Sequence, residues 1–568
     1  MPARTSARMF EPILRPYALD VIQRATVQDF EANANTGMQN KTTVTSSSRD
    51  PGRRSPPRKV PRGRSVATFI LVYVMANAAI IAGQWNMIVG HDLFELGDLA
   101  ANALKIERAG EFAEIHGHYS RWGFWHPGPA FFYVYAAAEW LFNDLMRWTA
   151  SPHTAHRVGG MLLQNAFLVW GLVIVGNWVR RSGFIWLGTL ASLIYLACLW
   201  EPTSLMNIWP PYTLIVPYFL MIIAAVSFSC GRDRDMVPAV IAGCFLVHGH
   251  IAQPLFVGVT LGYAVLLRLL REKSFSWIPS PYTGRSAIVL IVIAAFAAPP
   301  IIDVVQNHGN AGRILNFLTY REFSQNDWSD VARSLAALGM LTTNDHWTPA
   351  LALGRQTAGG SIKWLGPLAW APGAVWAFLA FARPLDSRWS WFVRRCALFF
   401  VVEVLLLTWW IRSQMGEPYL FNNLFAYGVL LMGTILMVAE MSQWRIWKSY
   451  FALPATVTLL ILINVAIHLE TRENISLNTG YRDFVRQETL NRDIPGVYLE
   501  FDHDDWPYAV TAALALKRND IRFLVDRKWR IMFGEENILQ PDDPRQTDFE
   551  HWTVSGTVLR AATGSVEP

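Results

Sequence analysis

The segment His91–Tyr133, HDLFELGDLAANALKIERAGEFAEIHGHYSRWGFWHPGPAFFY, concentrates the residues able to do chemistry. Asp92, Glu95 and Asp98 place three carboxylates within seven positions, and Tyr119, Arg121 and His126 follow. His126 lies 126 − 98 = 28 positions after Asp98, on the rigid turn His126-Pro127-Gly128-Pro129. A carboxylate takes the proton of a reacting hydroxyl. An arginine presents a planar fork that matches phosphate oxygens, and a histidine donates a hydrogen bond or a proton near neutral pH. Each residue also has a plainer reading. Asp98 could cap a helix whose orphan N–H groups favour an acid, Arg121 could snorkel to headgroups, and Pro-Gly-Pro could be a turn ahead of a helix. None of these accounts for an acid, an arginine and a histidine gathered where one apolar run ends and the next begins.

Further along, Glu201 stands in Trp200-Glu201-Pro202-Thr203 and a histidine pair in His248-Gly249-His250. A solvated loop acid and a packed histidine pair are the ordinary readings of those two motifs. A large loop, 303–362, is expected to open with Pro299-Pro300 and Asp303 and to carry Arg313 and Arg321; helices in it would lie over the site. Glu403, flanked by Val401-Val402 and Val404-Leu405, is the acid deepest in an apolar run. A carboxylate there is costly unless neutral and bonded to another helix.

The elements that must position these groups are membrane helices. At 568 residues, 52% hydrophobic and a mean hydropathy of +0.22, the chain sorts its apolar residues into runs of roughly 20, the length that crosses a bilayer. Its 25 Trp and 32 Phe suit the two membrane–water interfaces. Residues 1–64 are polar and Ser/Thr/Pro/Arg-rich, which predicts a disordered tail. That tail ends in Arg49, Arg53, Arg54, Arg58, Lys59, Arg62 and Arg64, so the N-terminus is expected in the cytoplasm. The uncharged run Val66–Gly90 then delivers His91 to the outer face. Later runs fall near 130–146, 158–179, 184–200, 209–229, 237–249, 252–270, 286–302, 363–382, 396–411, 420–440 and 450–467. If 130–146 crossed fully, Arg180-Arg181 would fall outside. If it lies along the interface or re-enters, Arg180-Arg181 and Arg232/Arg234 are cytoplasmic, and Glu201, His248 and His250 join Asp98 outside. The second solution satisfies the charge rule.

The fold class expected is therefore mainly α: a polytopic membrane protein of about eleven transmembrane helices over 65–470, with 91–126 as a first external loop of interfacial helices. Beyond Thr471 the composition turns charged. A strand at Gly496–Phe501, an amphipathic helix at Trp506–Lys517 and a second strand at Ile521–Val525 predict a small extracytoplasmic α/β domain over 471–568. The helix expected at Leu99–Arg108 would turn its apolar residues to the bilayer. The net charge of +5 belongs with membrane orientation, so no nucleic-acid partner is expected. Cys198, Cys230, Cys244 and Cys396 sit in or beside apolar runs and give neither a disulfide framework nor zinc spacing.

An acid just after the first span, 25–30 residues of interfacial helix, and a His/Lys-Pro-Pro-like turn opening the next apolar helix resemble the GT-C membrane glycosyltransferases. The resemblance is closest to the branch of lipopolysaccharide-core, aminoarabinose and protein O-mannosyl transferases. It is strongest over 91–205 and rests elsewhere on hydropathy alone. The chain departs from the pattern by the glycine within Pro127-Gly128-Pro129 and by separate rather than adjacent acids. The resemblance implies transfer of a sugar from a polyprenyl-phosphate donor to a hydroxyl of a glycan, lipid or protein acceptor on the outer face, with inversion. On this reading Asp98 is expected as general base and Glu201 as a second catalytic acid, with Arg121, His126, Tyr119, Asp92, Glu95, His248 and His250 as substrate-binding residues. It makes no cofactor certain and allows a divalent metal cation. A cell-envelope enzyme of the inner or plasma membrane is the expected localisation. The competing classes are a transporter or flippase, which would show polar residues at the midplane of broken, paired helices, and a non-catalytic envelope assembly subunit acting through 471–568.

Overall fold

The computed structural model describes residues 62–180, 182–199, 204–273, 284–306, 309–320, 326–339, 365–385, 387–414, 418–442, 483, 487, 494–539, 549–555, 558–561 and 564–566. The described residues fall in one compact unit and are mainly helical. The helices follow the apolar runs closely. They are α1 (Arg62–Gly83), α2 (Asp98–Gly110), α3 (Ala130–Ala138), α4 (Pro152–Val179), α5 (Ser182–Leu199), α6 (Ile215–Ser229), α7 (Met236–Gly249) and α8 (Gln253–Glu272). They continue as α9 (Gly284–Val305), α10 (Asn310–Tyr320), α11 (Trp328–Gly339), α12 (Leu365–Ala382), α13 (Arg388–Arg412), α14 (Tyr427–Met441) and α15 (Trp506–Arg518). The run 450–467 lies outside the described residues.

Six helical segments among the described residues are long and apolar enough to cross a membrane: Val66–Gly83, Pro152–Val179, Pro210–Ser229, Gln253–Glu272, Gly284–Val305 and Leu420–Met441. Their surroundings differ. The window Pro210–Ser229 is 100% buried and forms the centre of the bundle, whereas Gly284–Val305 is 6% buried and turns its apolar side chains outward. Lipid tails are as apolar as Leu, so helices in this setting gain by close approach rather than by hiding apolar area. Gly428 of α14 shows this: a Cβ there would lie 2.6 Å from the Ile215 carbonyl oxygen and 2.9 Å from the Phe219 nitrogen.

Local chemistry sets several boundaries. Ser151 caps α4 by accepting from the Thr154 N–H, with Pro152 in the first turn. The segment 130–145 is not among the six. Helix α3 widens after nine residues into a π-helical turn, Glu139–Leu145, where the buried Glu139 carboxylate bonds His156 at 2.7 Å. Pro299 and Pro300 lie inside α9, which runs on to Val305, and so do not open the following loop. Buried Asp303 at its end accepts from His116 Nε2 at 2.8 Å and from the Ala311 N–H at 2.9 Å, tying α9 to α10.

The two ends of the bundle differ in kind. At one end Arg232 donates to the Asn177 carbonyl and lies 3.8 Å over the Trp178 ring, while Arg268 pairs with Asp233 at 2.9 Å. At the other end sit Asp98, His126, Trp209 and His250. Toward the C-terminus, β1 (Val497–Phe501) pairs in parallel with β2 (Phe523–Leu524) and with β3 (Glu550–Ser555). Strands β4 (Val558–Ala561) and β5 (Gly564–Val566) extend that sheet antiparallel, giving the order β2-β1-β3-β4-β5. Helix α15 links β1 to β2. Its Ala509, Ala512, Ala513 and Leu516 share a core with Ala100, Ala101 and Leu104 of α2. The apolar face of α2 therefore meets protein rather than bilayer, because alanines on both helices let them approach closely.

Candidate active site

A hairpin delivers three of the expected residues. Gly117 N–H donates to the His126 carbonyl at 2.9 Å, His126 N–H to the His118 carbonyl at 2.8 Å, and Ser120 N–H to the Phe124 carbonyl at 2.8 Å. Gly123, at φ +80°, makes the left-handed turn that an L side chain resists. Tyr119 and His126 thus stand near the base of the hairpin, and Arg121 at its tip. Trp125 fixes the strand by exchanging hydrogen bonds with Asn310, at 2.8 and 3.1 Å.

Asp98 is the first residue of α2, preceded by Gly97 as N-cap, and its side chain does not cap the helix. The carboxylate instead accepts from the Tyr119 hydroxyl on one oxygen and from Trp209 Nε1 at 2.9 Å on the other. A carboxylate offers about four acceptor positions, so two remain for a substrate hydroxyl. Burial, and then the neighbouring Asp98 charge, push the Tyr119 hydroxyl well above its usual range, which keeps it a donor.

These residues open onto a cavity of about 240 Å³ lined by Asp98, Asn102, His118, Tyr119, Arg121, His126, Trp209, His250, Phe317, Trp410, Gln414, Phe421 and Phe425, among others. His126 Nδ1 accepts from the Ile251 N–H at 3.1 Å and His250 Nδ1 from the Ala252 N–H at 3.2 Å. The neutral tautomers so fixed carry the proton on Nε2 and present it as a donor. The two rings lie 4.7 Å apart. Burial, then the nearby histidines, hold His126 far below the usual imidazole range, and burial brings His250 down to about 4. His118, whose Nδ1 lies 2.8 Å from Asn102 Oδ1, is brought down to about 3 by burial and by the Lys105 and His250 charges. Arg121 is held at the rim by aromatic faces, 4.2 Å over Tyr419 and 5.2 Å over Trp122.

Other expected site residues lie elsewhere. Asp92 is exposed and outside the lining. Glu95 is buried in a separate cluster, where Arg518 grips both its oxygens at 2.8 Å. Burial raises the Glu95 carboxyl, but the Arg518 charge and hydrogen bonds outweigh that and hold it at about 2. His248 donates to the Phe296 carbonyl at 2.7 Å and packs its ring on Gly128. A Cβ at residue 128 would come within 2.3 Å of that ring, which explains the glycine between the two prolines. Glu201 and Arg321 lie outside the described residues. Arg313 pairs with Glu535 at 3.0 Å, and Glu403 accepts from Tyr218 and Thr260 on neighbouring helices.

Sequence reasoning missed Asn102, His118, Trp209 and Gln414. Two signals were there to be read: His116-Gly117-His118 repeats the pattern of His248-Gly249-His250, and Trp209-Pro210-Pro211 opens an apolar run as His126-Pro127 does.

The same arrangement of helices occurs in a solved structure. ArnT from Cupriavidus metallidurans, bound to undecaprenyl phosphate, superposes with a TM-score of 0.50 at 10% identity, over 87% of this chain and 93% of that one. The chain has the fold of ArnT. The apo form of ArnT gives a TM-score of 0.49 at 11% identity over 86% and 93% of the two chains. The Archaeoglobus fulgidus oligosaccharyltransferase gives 0.33 at 12% over 87% and 70%. No protein-family model and no curated protein sequence matches the chain.

A divalent cation was allowed by the resemblance, with Asp98, Glu201, His248 and His250 supplying ligand types. The described groups of the cavity do not fit one: Asp98 is the only acid among them, and the His126 and His250 Nδ1 lone pairs are engaged by backbone N–H groups. The group of His and acid side chains close enough to share an ion, among the described residues, is Glu95, His153 and His156.

Proposed function

We propose that this protein is an inverting glycosyltransferase of the cell envelope that moves a sugar from a polyprenyl-phosphate donor to the hydroxyl of a glycan, lipid or protein acceptor. The observation that carries the reading is the single cavity in which Asp98, clamped by Tyr119 and Trp209, faces the N–H-bearing imidazoles of His126 and His250. A fold shared with ArnT bound to undecaprenyl phosphate supports a lipid-phosphate donor.

Asp98 takes the proton of the acceptor hydroxyl as its oxygen attacks the anomeric carbon. The bond from that carbon to the phosphate oxygen breaks, and the electron pair leaves with the lipid phosphate. His126 and His250 donate to that phosphate from Nε2, and Arg121 meets it at the rim. The aromatic wall of Trp209, Phe317, Phe421 and Phe425 receives the sugar and the first isoprene units. Glu201 is a second acid of the site by resemblance alone. The positive-inside rule makes the Arg232/Arg268 end cytoplasmic and the cavity extracytoplasmic. With about eleven spans over 65–470, the 1–64 tail is cytoplasmic and 471–568 an extracytoplasmic domain.

The test is turnover in vitro with a panel of labelled polyprenyl-phosphate sugars. Transfer that disappears in Asp98→Asn, with unchanged membrane expression, is the expected result. Full activity in that variant, or binding of every donor without turnover, refutes the reading.

A further inference from the structure

Fifty-eight positions separate Glu95 from His153 (153 − 95 = 58), yet the fold brings their ligand atoms together in a buried pocket outside the cavity. His153 and His156, three residues apart, share one face of the first turns of α4. Both are more than nine-tenths buried, at 6% and 1% exposure. Each Nδ1 lacks a hydrogen-bond partner. Each is aimed at the same carboxylate oxygen, Glu95 Oε1, from 3.7 and 3.8 Å. Those separations are too long for hydrogen bonds. They lie within a few tenths of an ångström of the roughly 3.4 Å edge of a tetrahedron built on metal–ligand bonds of about 2.1 Å.

We propose that Glu95, His153 and His156 bind a divalent transition-metal ion, with zinc the best match to two imidazoles and a carboxylate. The tautomer argues for it. His156 Nε2 bonds Glu139 Oε2 at 2.7 Å, so the proton of the neutral ring sits on Nε2 and a lone pair points from Nδ1 at Glu95. A lone pair facing a carboxylate oxygen in a buried pocket is repulsive unless a metal ion or a proton lies between them. Arg518 leaves room for it, because its two N–H groups use one acceptor position on each Glu95 oxygen and the carboxylate keeps others. The surrounding charges are Glu95, Glu107 and Glu139 against Arg518 and Arg157, a net negative pocket. The fourth tetrahedral position belongs to water. Such an ion would pin the 91–97 loop to α4 and, through Arg518, to α15, three residues ahead of Asp98. It acts as a structural clamp, and the proposal stands whether or not Asp98 is catalytic.

The rival occupant is a proton on His156, and metal analysis separates the two. The full chain, purified in detergent without added metal or chelator, is expected to carry about one zinc per molecule by mass spectrometric elemental analysis. Stripping with a chelator and titrating with Co²⁺ alone should restore one equivalent, with visible d–d bands of a tetrahedral site. His153→Gln and the double variant His153→Gln/His156→Gln should lose the zinc and the bands. The stripped wild-type protein controls for variants that fail to fold. Wild-type protein that elutes as a folded monodisperse species, holds no metal and gives no Co²⁺ band overturns the proposal, as does a His153→Gln variant that retains wild-type stoichiometry.

Discussion

Asp98 and Glu95 are acids three positions apart in one short segment, and the structure gives them opposite surroundings. Asp98 is half-buried, bonded only by neutral donors, and keeps acceptor positions toward a cavity. Glu95 is 1% exposed and held by Arg518 on both oxygens. The lesson is that neutral donors orient a carboxylate without neutralising it, whereas a bidentate guanidinium commits it to structure. Asp98→Asn should therefore cut sugar transfer by roughly 100- to 10,000-fold while leaving thermal unfolding in detergent within about 0.5 kcal/mol of wild type. Arg518→Leu should do the reverse. It leaves Glu95 short of its guanidinium, a loss of roughly 3–5 kcal/mol in stability, visible as a lowered unfolding temperature. If Asp98→Asn unfolds the protein and Arg518→Leu does not, the contrast is wrong.

A second contrast sets the His126 turn against its neighbours. Gly128 is required by the His248 ring, whose Nε2 is itself bonded to Phe296. Gly128→Ala must displace that ring or the turn, which should cost about 1–3 kcal/mol and misplace His126. A compensating His248→Ala in the same chain should restore part of the stability. Failure of that rescue would show that the glycine serves something other than the ring.

The imidazoles themselves make stability pH-dependent. His118 and His250 titrate near 6.5 in the unfolded chain but at about 3 and about 4 when folded, because burial disfavours their charged forms. Below pH 6.5 the unfolded state binds protons that the folded state refuses. Stability is therefore full above that pH and falls as pH drops toward 4. Each fully shifted histidine adds a slope of about 1.4 kcal/mol per pH unit. Unfolding temperatures measured from pH 7.5 to pH 4.5 should show the decline, and His118→Gln should flatten it. A slope unchanged in that variant would mean His118 is already charged in the fold.

Much of this was legible in the chain because the period and length of apolar runs are local properties. The helices expected at 209–229, 252–270 and 420–440 occur within two residues of those limits, as do the strand at Val497–Phe501 and the helix at Trp506–Arg518. The gathering of Asp98, Tyr119, Arg121 and His126 was legible for the same reason, since one helix and one hairpin carry all four. What the sequence hid is non-local. Trp209 reaches Asp98 across 111 positions and Arg518 reaches Glu95 across 423, and no periodicity encodes either meeting. Helix α2 was turned toward the bilayer for the same reason: its alanine face reads as lipid-facing until α15 is known to lie against it.

The finest prediction concerns the two donors on Asp98. Trp209→Phe keeps an aromatic ring against the cavity but loses the pyrrole half of the indole and with it the N–H, one of two tethers on the carboxylate. A hydrogen bond to a charged group is worth about 1.5–3 kcal/mol net. With Tyr119 still in place, most of the orientation survives, and kcat should fall by only about tenfold, near 1.4 kcal/mol. KM for the lipid donor should hardly move, because the phosphate side is His126, His250 and Arg121. Tyr119→Phe should behave alike, and the double variant should lose more than the product of the two, since it frees the carboxylate entirely. Strict multiplicativity would mean that Tyr119 and Trp209 act separately, as contacts to the sugar, and not as a shared clamp on the base.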